Sequence, residues 1–157
     1  MIVLDTTTKT IKIAMTGAPA TTNPDFVATW ADSTSSALTE GGTDGALNGT
    51  ADVTVVAAPA ASTRRVIKSL YIQNRDTASV TVIIKYDNNG TQRQVAKMTL
   101  SVGDTWTLDG VYDSNGSLKT AAGGILGVSN GGTGAATLTD AGVLVGNGTG
   151  VIQATTA

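Results

Sequence analysis

Between Arg64 and Gly110 apolar and polar residues alternate with a period of two, and turn-forming clusters interrupt the alternation at short intervals. Successive side chains of a strand point to opposite faces, so this pattern specifies half-buried β-strands and leaves little room for helix. From Ser79 to Asp87, Val80, Val82, Ile84 and Tyr86 share one face, opposite Thr81, Ile83 and Lys85. A preceding strand runs from Val66 to Asn74, with a pause at Arg75-Asp76-Thr77-Ala78. Asn88-Asn89-Gly90 tolerates positive φ, which predicts a hairpin into a strand over Thr91 to Leu100 with Ala96, Met98 and Leu100 pointing inward. Val102-Gly103-Asp104 predicts the next turn, and Trp106 and Leu108 alternate with Thr105 and Thr107 on a last strand.

The flanking segments carry the same signal more weakly. Ile11, Ile13 and Met15 alternate with Lys12 and Ala14, predicting a strand over Thr10 to Met15. Asp25 to Asp32 places Phe26, Ala28 and Trp30 on one face. Ser33 to Asn48 is Ser, Thr, Gly and Ala with almost no large apolar residue, so a long loop is expected there. A short strand over Ala51 to Ala57 leads into a connector through Pro59, which is disfavoured in a central strand. Val111 to Thr120, around Asp113-Ser114-Asn115-Gly116, reads as a closing hairpin. Strands of this length and spacing predict an all-β fold: an antiparallel β-sandwich or jelly-roll-like domain over residues 1–120.

After Thr120 the composition changes. Ten of the 37 residues from Ala121 to Ala157 are glycine and only Asp140 is charged, so residues 121–157 have too little side-chain volume for a core of their own. Gly131-Gly132-Thr133-Gly134-Ala135 is loosely echoed by Gly146-Asn147-Gly148-Thr149-Gly150-Val151. Short strands between these turns, packed on copies of themselves, would bury Leu138, Val143, Leu144, Val145 and Val151, the expected oligomer interface.

The run Gly127-Val128-Ser129-Asn130-Gly131-Gly132-Thr133-Gly134-Ala135-Ala136-Thr137-Leu138, followed by Gly142-Val143-Leu144-Val145-Gly146-Asn147-Gly148-Thr149-Gly150, resembles a segment common in bacteriophage tail fibres and related virion fibres. Such fibres are typically homotrimers, so the resemblance implies a Gly/Thr-rich trimeric β fibre segment. In long fibres this segment precedes a receptor-binding shaft and tip. Here it runs to Ala157, which leads to the expectation of a short protein or of a separate distal fibre attached to it. The N-terminal part is similar to small phage structural proteins in Asp5-Thr6-Thr7-Thr8-Lys9, in the connector from Val55 to Thr63, and in Ile72-Gln73-Asn74-Arg75-Asp76-Thr77. Together these resemblances imply a non-enzymatic virion protein on the particle surface, either capsid decoration or head fibre, or tail-fibre attachment.

Composition narrows the chemistry. The chain has no His and no Cys, so the common general base, the thiol nucleophile, disulfides and most transition-metal sites are missing. Glu40 is the only glutamate, and the eleven aspartates fall mostly in turn contexts, so neither catalysis nor a cofactor is expected. Asp113-x-Asn115-Gly116 lacks the later glutamate of a calcium loop, and Gly131-Gly132-Thr133-Gly134 lacks the lysine of a phosphate loop. A net charge of −2 argues against nucleic acid as a partner. No apolar run reaches the ~20 residues of a membrane span, and the start Met1-Ile2-Val3-Leu4-Asp5 lacks signal-peptide character, so synthesis in the host cytoplasm without export is expected.

Arg64, Arg65, Lys68, Arg75 and Arg93, with Lys85, fall in one 30-residue window and are candidates for a face that docks on other capsid or tail proteins. Trp30, Trp106, Tyr71 and Tyr86 are expected in the core or at subunit contacts. The alternative function is a receptor- or carbohydrate-binding module gripping host glycans through the Ser33–Asn48 loop or an aromatic face that includes Trp30.

Overall fold

The computed structural model describes residues 1–119 and, beyond them, the two strands 143–145 and 153–155. The chain divides into two units, Met1–Leu118 and Lys119–Ala157. The first is all-β. Its strands are β1 (Ile2–Leu4), β2 (Lys9–Met15), β3 (Asp25–Ser33), β4 (Leu38–Ala46), β5 (Val53–Val56), β6 (Arg64–Gln73), β7 (Val80–Asn88), β8 (Thr91–Leu100), β9 (Thr105–Thr107), β10 (Gly110–Tyr112) and β11 (Leu118–Lys119). A seven-stranded sheet runs β11-β10-β9-β6-β3-β4, with β1 also paired to β6, and a four-stranded sheet runs β5-β2-β7-β8. Every register resolved in the two sheets is antiparallel. In the second unit β12 (Val143–Val145) pairs antiparallel with β13 (Gln153–Thr155), Leu144 lying opposite Ala154.

The core of the first unit is filled from both sheets, as the alternation requires. Ile11, Ile13 and Met15 of β2, Val55 and Val56 of β5, Val80, Val82 and Ile84 of β7 and Leu100 of β8 cluster with Leu4, Phe26, Ala28, Ile67, Leu70 and Ile72 from the larger sheet. Burying one such aliphatic side chain is worth roughly 1.5–3 kcal/mol, so this two-layer contact is the main stabilising term of the sandwich. In β6 the buried residues Ile67, Leu70 and Ile72 break strict alternation. The pairing with β3 explains this: Thr29 faces Ser69 while Trp30 faces Ile67, so Lys68 is an extra residue that shifts the parity.

The expected turns between β7 and β8 and between β8 and β9 form with the residues anticipated. Asn89 has φ 53 and Gly90 φ 85, the pair of positive values that a two-residue hairpin turn requires, and Gly103 has φ 80. Leu108 lies outside the strand expected for it, because β9 ends at Thr107 and a turn at Leu108-Asp109 leads directly into β10.

The stretch Ser33–Asn48 is not the expected loop. Nine of its residues form β4, paired with β3 from Asp25↔Ala46 to Ser33↔Leu38. The Thr34 hydroxyl accepts the amides of Ser36 and Ala37, at 3.3 and 3.0 Å, and so closes the hairpin. The few side chains of β4 are compensated across the ladder. Trp30 faces Gly41 and Phe26 faces Gly45, and a Cβ on either glycine would come within 3.0–3.2 Å of the ring. Each ring thus covers the backbone of its glycine partner, and Leu47, 2% exposed, anchors the end of the segment in the core. Ile2–Leu4 is a further strand that its short apolar run did not announce; β6 supplies its ladder partners.

Candidate functional site: the outer face of the seven-stranded sheet

Most carboxylates of the sandwich are already engaged, and what they hold determines where free chemistry remains. Asp76, 2% exposed, accepts the backbone amides of Ala20, Thr21, Thr22 and Thr77 and the Thr21 hydroxyl at 2.7–3.2 Å. Burial alone would raise its pKa, but this ring of donors outweighs burial and holds the carboxyl far below the usual carboxylate range. Beside it, buried Asn74 donates through Nδ2 to the carbonyls of Ala78, Leu100 and Ser101 and accepts the Asp76 amide. This hub ties the β6–β7 turn to the end of β8 and to the 20–22 segment. Asp87 similarly closes the β7–β8 hairpin through the Gly90 amide, 2.9 Å, and Lys12, 3.0 Å, which lower its pKa.

The basic residues proposed for docking are distributed as follows. Arg64, Arg65 and Lys68 lie together on β6, Arg75 sits in the turn after it, and Arg93 lies on β8 of the other sheet. Arg65 makes a bidentate bond to Asp32 at 2.8 and 2.7 Å and stacks its guanidinium 4.3 Å from the Trp30 ring centroid. That pairing lowers the Asp32 pKa. Lys68 pairs with Glu40, Arg75 with Asp25 and Lys85 with Asp52. Among the described residues Arg64 and Arg93 have no ion-pair partner, and they stand on different sheets. Of the expected oligomer-interface residues, Leu138 and Val151 lie outside the described residues. Val143, Leu144 and Val145 form β12, and their side chains lie outside the described part as well.

Trp30, Trp106 and Tyr86 pack against the core, in keeping with the expectation. Tyr71 does not: with Ile72 turned inward, it projects from the opposite face and is 46% exposed. Register places a row of polar groups on that outer face, since Asp25 pairs with Gln73, Gln73 with Thr105, and Thr105 with Tyr112 across four adjacent strands. Tyr71 lies next to this row, opposite the exposed Val27.

Two adjoining hollows follow from this arrangement. One, of about 490 Å³, lies between Tyr71 and Tyr112 and is bounded by the Asp109 and Asp113 turns. The other, of about 280 Å³, lies on the side of Val27 and Asp25. Both share Tyr71, Gln73 and Thr105, so the pair forms one elongated groove with Tyr71 at its middle. Gly103, at φ 80, packs its turn against Ser114, where a Cβ would come within 2.9 Å, and this contact forms the far wall.

The groove gathers unused polar groups. Asp113 holds its own turn through one oxygen, Oδ1, which accepts the amides of Asn115 and Ser117 at 2.9 Å. Its Oδ2, the Asp109 carboxylate, the Gln73 amide and both tyrosine hydroxyls bond to nothing among the described residues. Among those residues no cluster of three or more metal-ligating carboxylates occurs. The sequence does not announce this site because its row of side chains is assembled by pairing β3 with β6 and β6 with β9, strands far apart in the chain; the visible hint was Tyr71, out of phase with the buried positions 70 and 72.

Comparison with family models, with curated proteins and with solved structures yields no match for this chain.

Proposed function

We propose that the chain is a non-enzymatic structural protein of a bacteriophage particle, for capsid decoration, head fibre or tail-fibre attachment. On this reading the sandwich docks on the virion, and the Gly/Thr-rich segment associates with two further copies. The observation that carries the reading is the antiparallel ladder of β12 and β13 within the fibre-like segment. A two-stranded ladder of three-residue strands is too small to be stable alone, and neighbouring copies supply the missing pairing and burial. The sandwich suits a mechanical role: most of its described charged groups are tied into turns and ion pairs.

Light scattering tests the assembly. The full chain should have a trimer's mass, and a chain ending at Lys119 a monomer's; a shortened chain that keeps the trimer mass refutes the assignment. Antibody labelling of purified virions viewed by electron microscopy then locates the protein on head or tail, and particles without label count against a virion role.

A further inference from the structure

We propose that the groove centred on Tyr71 binds a neutral or amino-bearing saccharide chain. This does not rest on the assembly reading, because the groove lies wholly within residues 1–118.

Three observations converge. The first is shape: two hollows of about 490 and 280 Å³ meet at Tyr71, so the site suits a chain laid across the sheet. The larger hollow alone falls in the range of about 300–1,000 Å³ usual for small-molecule sites. The second is the pair of rings. Tyr71 and Tyr112 project from non-adjacent strands onto one face, and each offers an apolar surface beside a hydroxyl. A pyranose has the matching character, with C–H groups on its faces and hydroxyls at its rim.

The third is the set of free polar groups. Asp109 and Asp113 Oδ2 accept hydrogen bonds only, whereas the Gln73 amide and the tyrosine hydroxyls both donate and accept. Vicinal sugar hydroxyls satisfy such a mixed set. The sign of the charge selects among sugars: Asp25 at one end of the groove is paired with Arg75, whereas Asp109 and Asp113 at the other end have no cation partner among the described residues, so they attract an amino sugar and repel uronic or sialic acids. A basic peptide would answer the carboxylates but leave the amide and the ring faces poorly used, so a saccharide fits better.

This moves the carbohydrate-binding role away from Trp30 and the Ser33–Asn48 segment. Trp30 is covered by the Arg65 guanidinium and packs against Gly41, and Ser33–Asn48 is largely strand.

The test is a printed array of neutral, amino and acidic oligosaccharides probed with the full-length protein, alongside Tyr71→Ala, Tyr112→Phe and Asp109→Asn. Binding should be confined to neutral and amino sugars. Titration of the best-bound oligosaccharide should show at least a tenfold weaker Kd for Tyr71→Ala, and a few-fold weaker Kd for Tyr112→Phe and Asp109→Asn, with melting temperatures unchanged. Trp30→Ala, if it folds, should still bind. The proposal is overturned by silence across the array, by preference for acidic glycans, by equal binding of wild type and Tyr71→Ala, or by tighter binding of a tetralysine peptide than of any sugar.

Discussion

Asp76 and Asp109 are both turn aspartates on the same sandwich, and their surroundings could hardly differ more. Asp76 is 2% exposed and encircled by amides, and the segments it joins lie more than fifty residues apart in the chain. Asp109 is exposed at the rim of a groove, with its carboxylate bonded to nothing among the described residues. A carboxylate whose lone pairs are filled from within is part of the fold. One held open beside aromatic rings is available to something else. The hub around Asp76 and the groove around Tyr71 are therefore expected to respond to mutation in opposite ways.

The largest effect should come from Asn74→Ala, which takes a donor from the carbonyls of Ala78, Leu100 and Ser101, the last of which keeps the Asp104 amide, and removes the acceptor for the Asp76 amide. A loss of about 3 kcal/mol is expected from taking hydrogen-bond partners from several groups of the hub at once, measured by urea unfolding. A loss below ~1 kcal/mol would mean that water replaces the side chain and that the hub is not a single unit.

Acid should act on the same region. Because the Asp76 carboxyl titrates below its unfolded-state value, its contribution is fully present above the ordinary carboxylate pKa of about 3.9 and is lost as pH falls from there toward the folded value. The urea midpoint should be flat near neutrality and decline once the pH drops below about 4. Asp76→Asn should be less stable at pH 7 and show a shallower decline; an unchanged slope would place the acid response elsewhere, for example at Asp87.

Gly103→Ala probes the point where fold and groove meet. The positive φ and the 2.9 Å approach to Ser114 should together cost about 2 kcal/mol and displace the wall, so that stability and saccharide binding fall together. Binding that survives unchanged would detach that wall from the site.

The smallest effect is expected on the rim: Asp109→Asn should leave the unfolding free energy from urea titration within the roughly 0.5 kcal/mol typical of surface substitutions, while weakening binding. Loss of stability without loss of binding would erase the contrast between the two carboxylates.

Much of the fold was legible wherever the deciding interaction is local. The faces of β2, β3 and β7, and the Asn88-Asn89-Gly90 turn, could be read because side-chain parity and positive φ are properties of a few consecutive residues. Strand β4 could not, because its order comes from ladder bonds to β3 and from rings contributed by Trp30 and Phe26. Neither could the parity shift at Lys68, which exists only in the pairing of β6 with β3. The groove was the least legible feature. Tyr71 and Tyr112 share one face of the sheet only because β9 pairs with the strands of both.

By itself, the sequence determined an all-β, helix-poor chain with two inward apolar faces, turns at Asn89-Gly90 and Asn115-Gly116 and little conventional catalytic chemistry, since composition and short-range periodicity do not depend on what the strands meet. Tertiary structure alone decided which strands became neighbours, and through that which aspartate was enclosed and which stayed open. Partner choice is a long-range property: each register brings together side chains whose separation in the chain carries no trace of their contact.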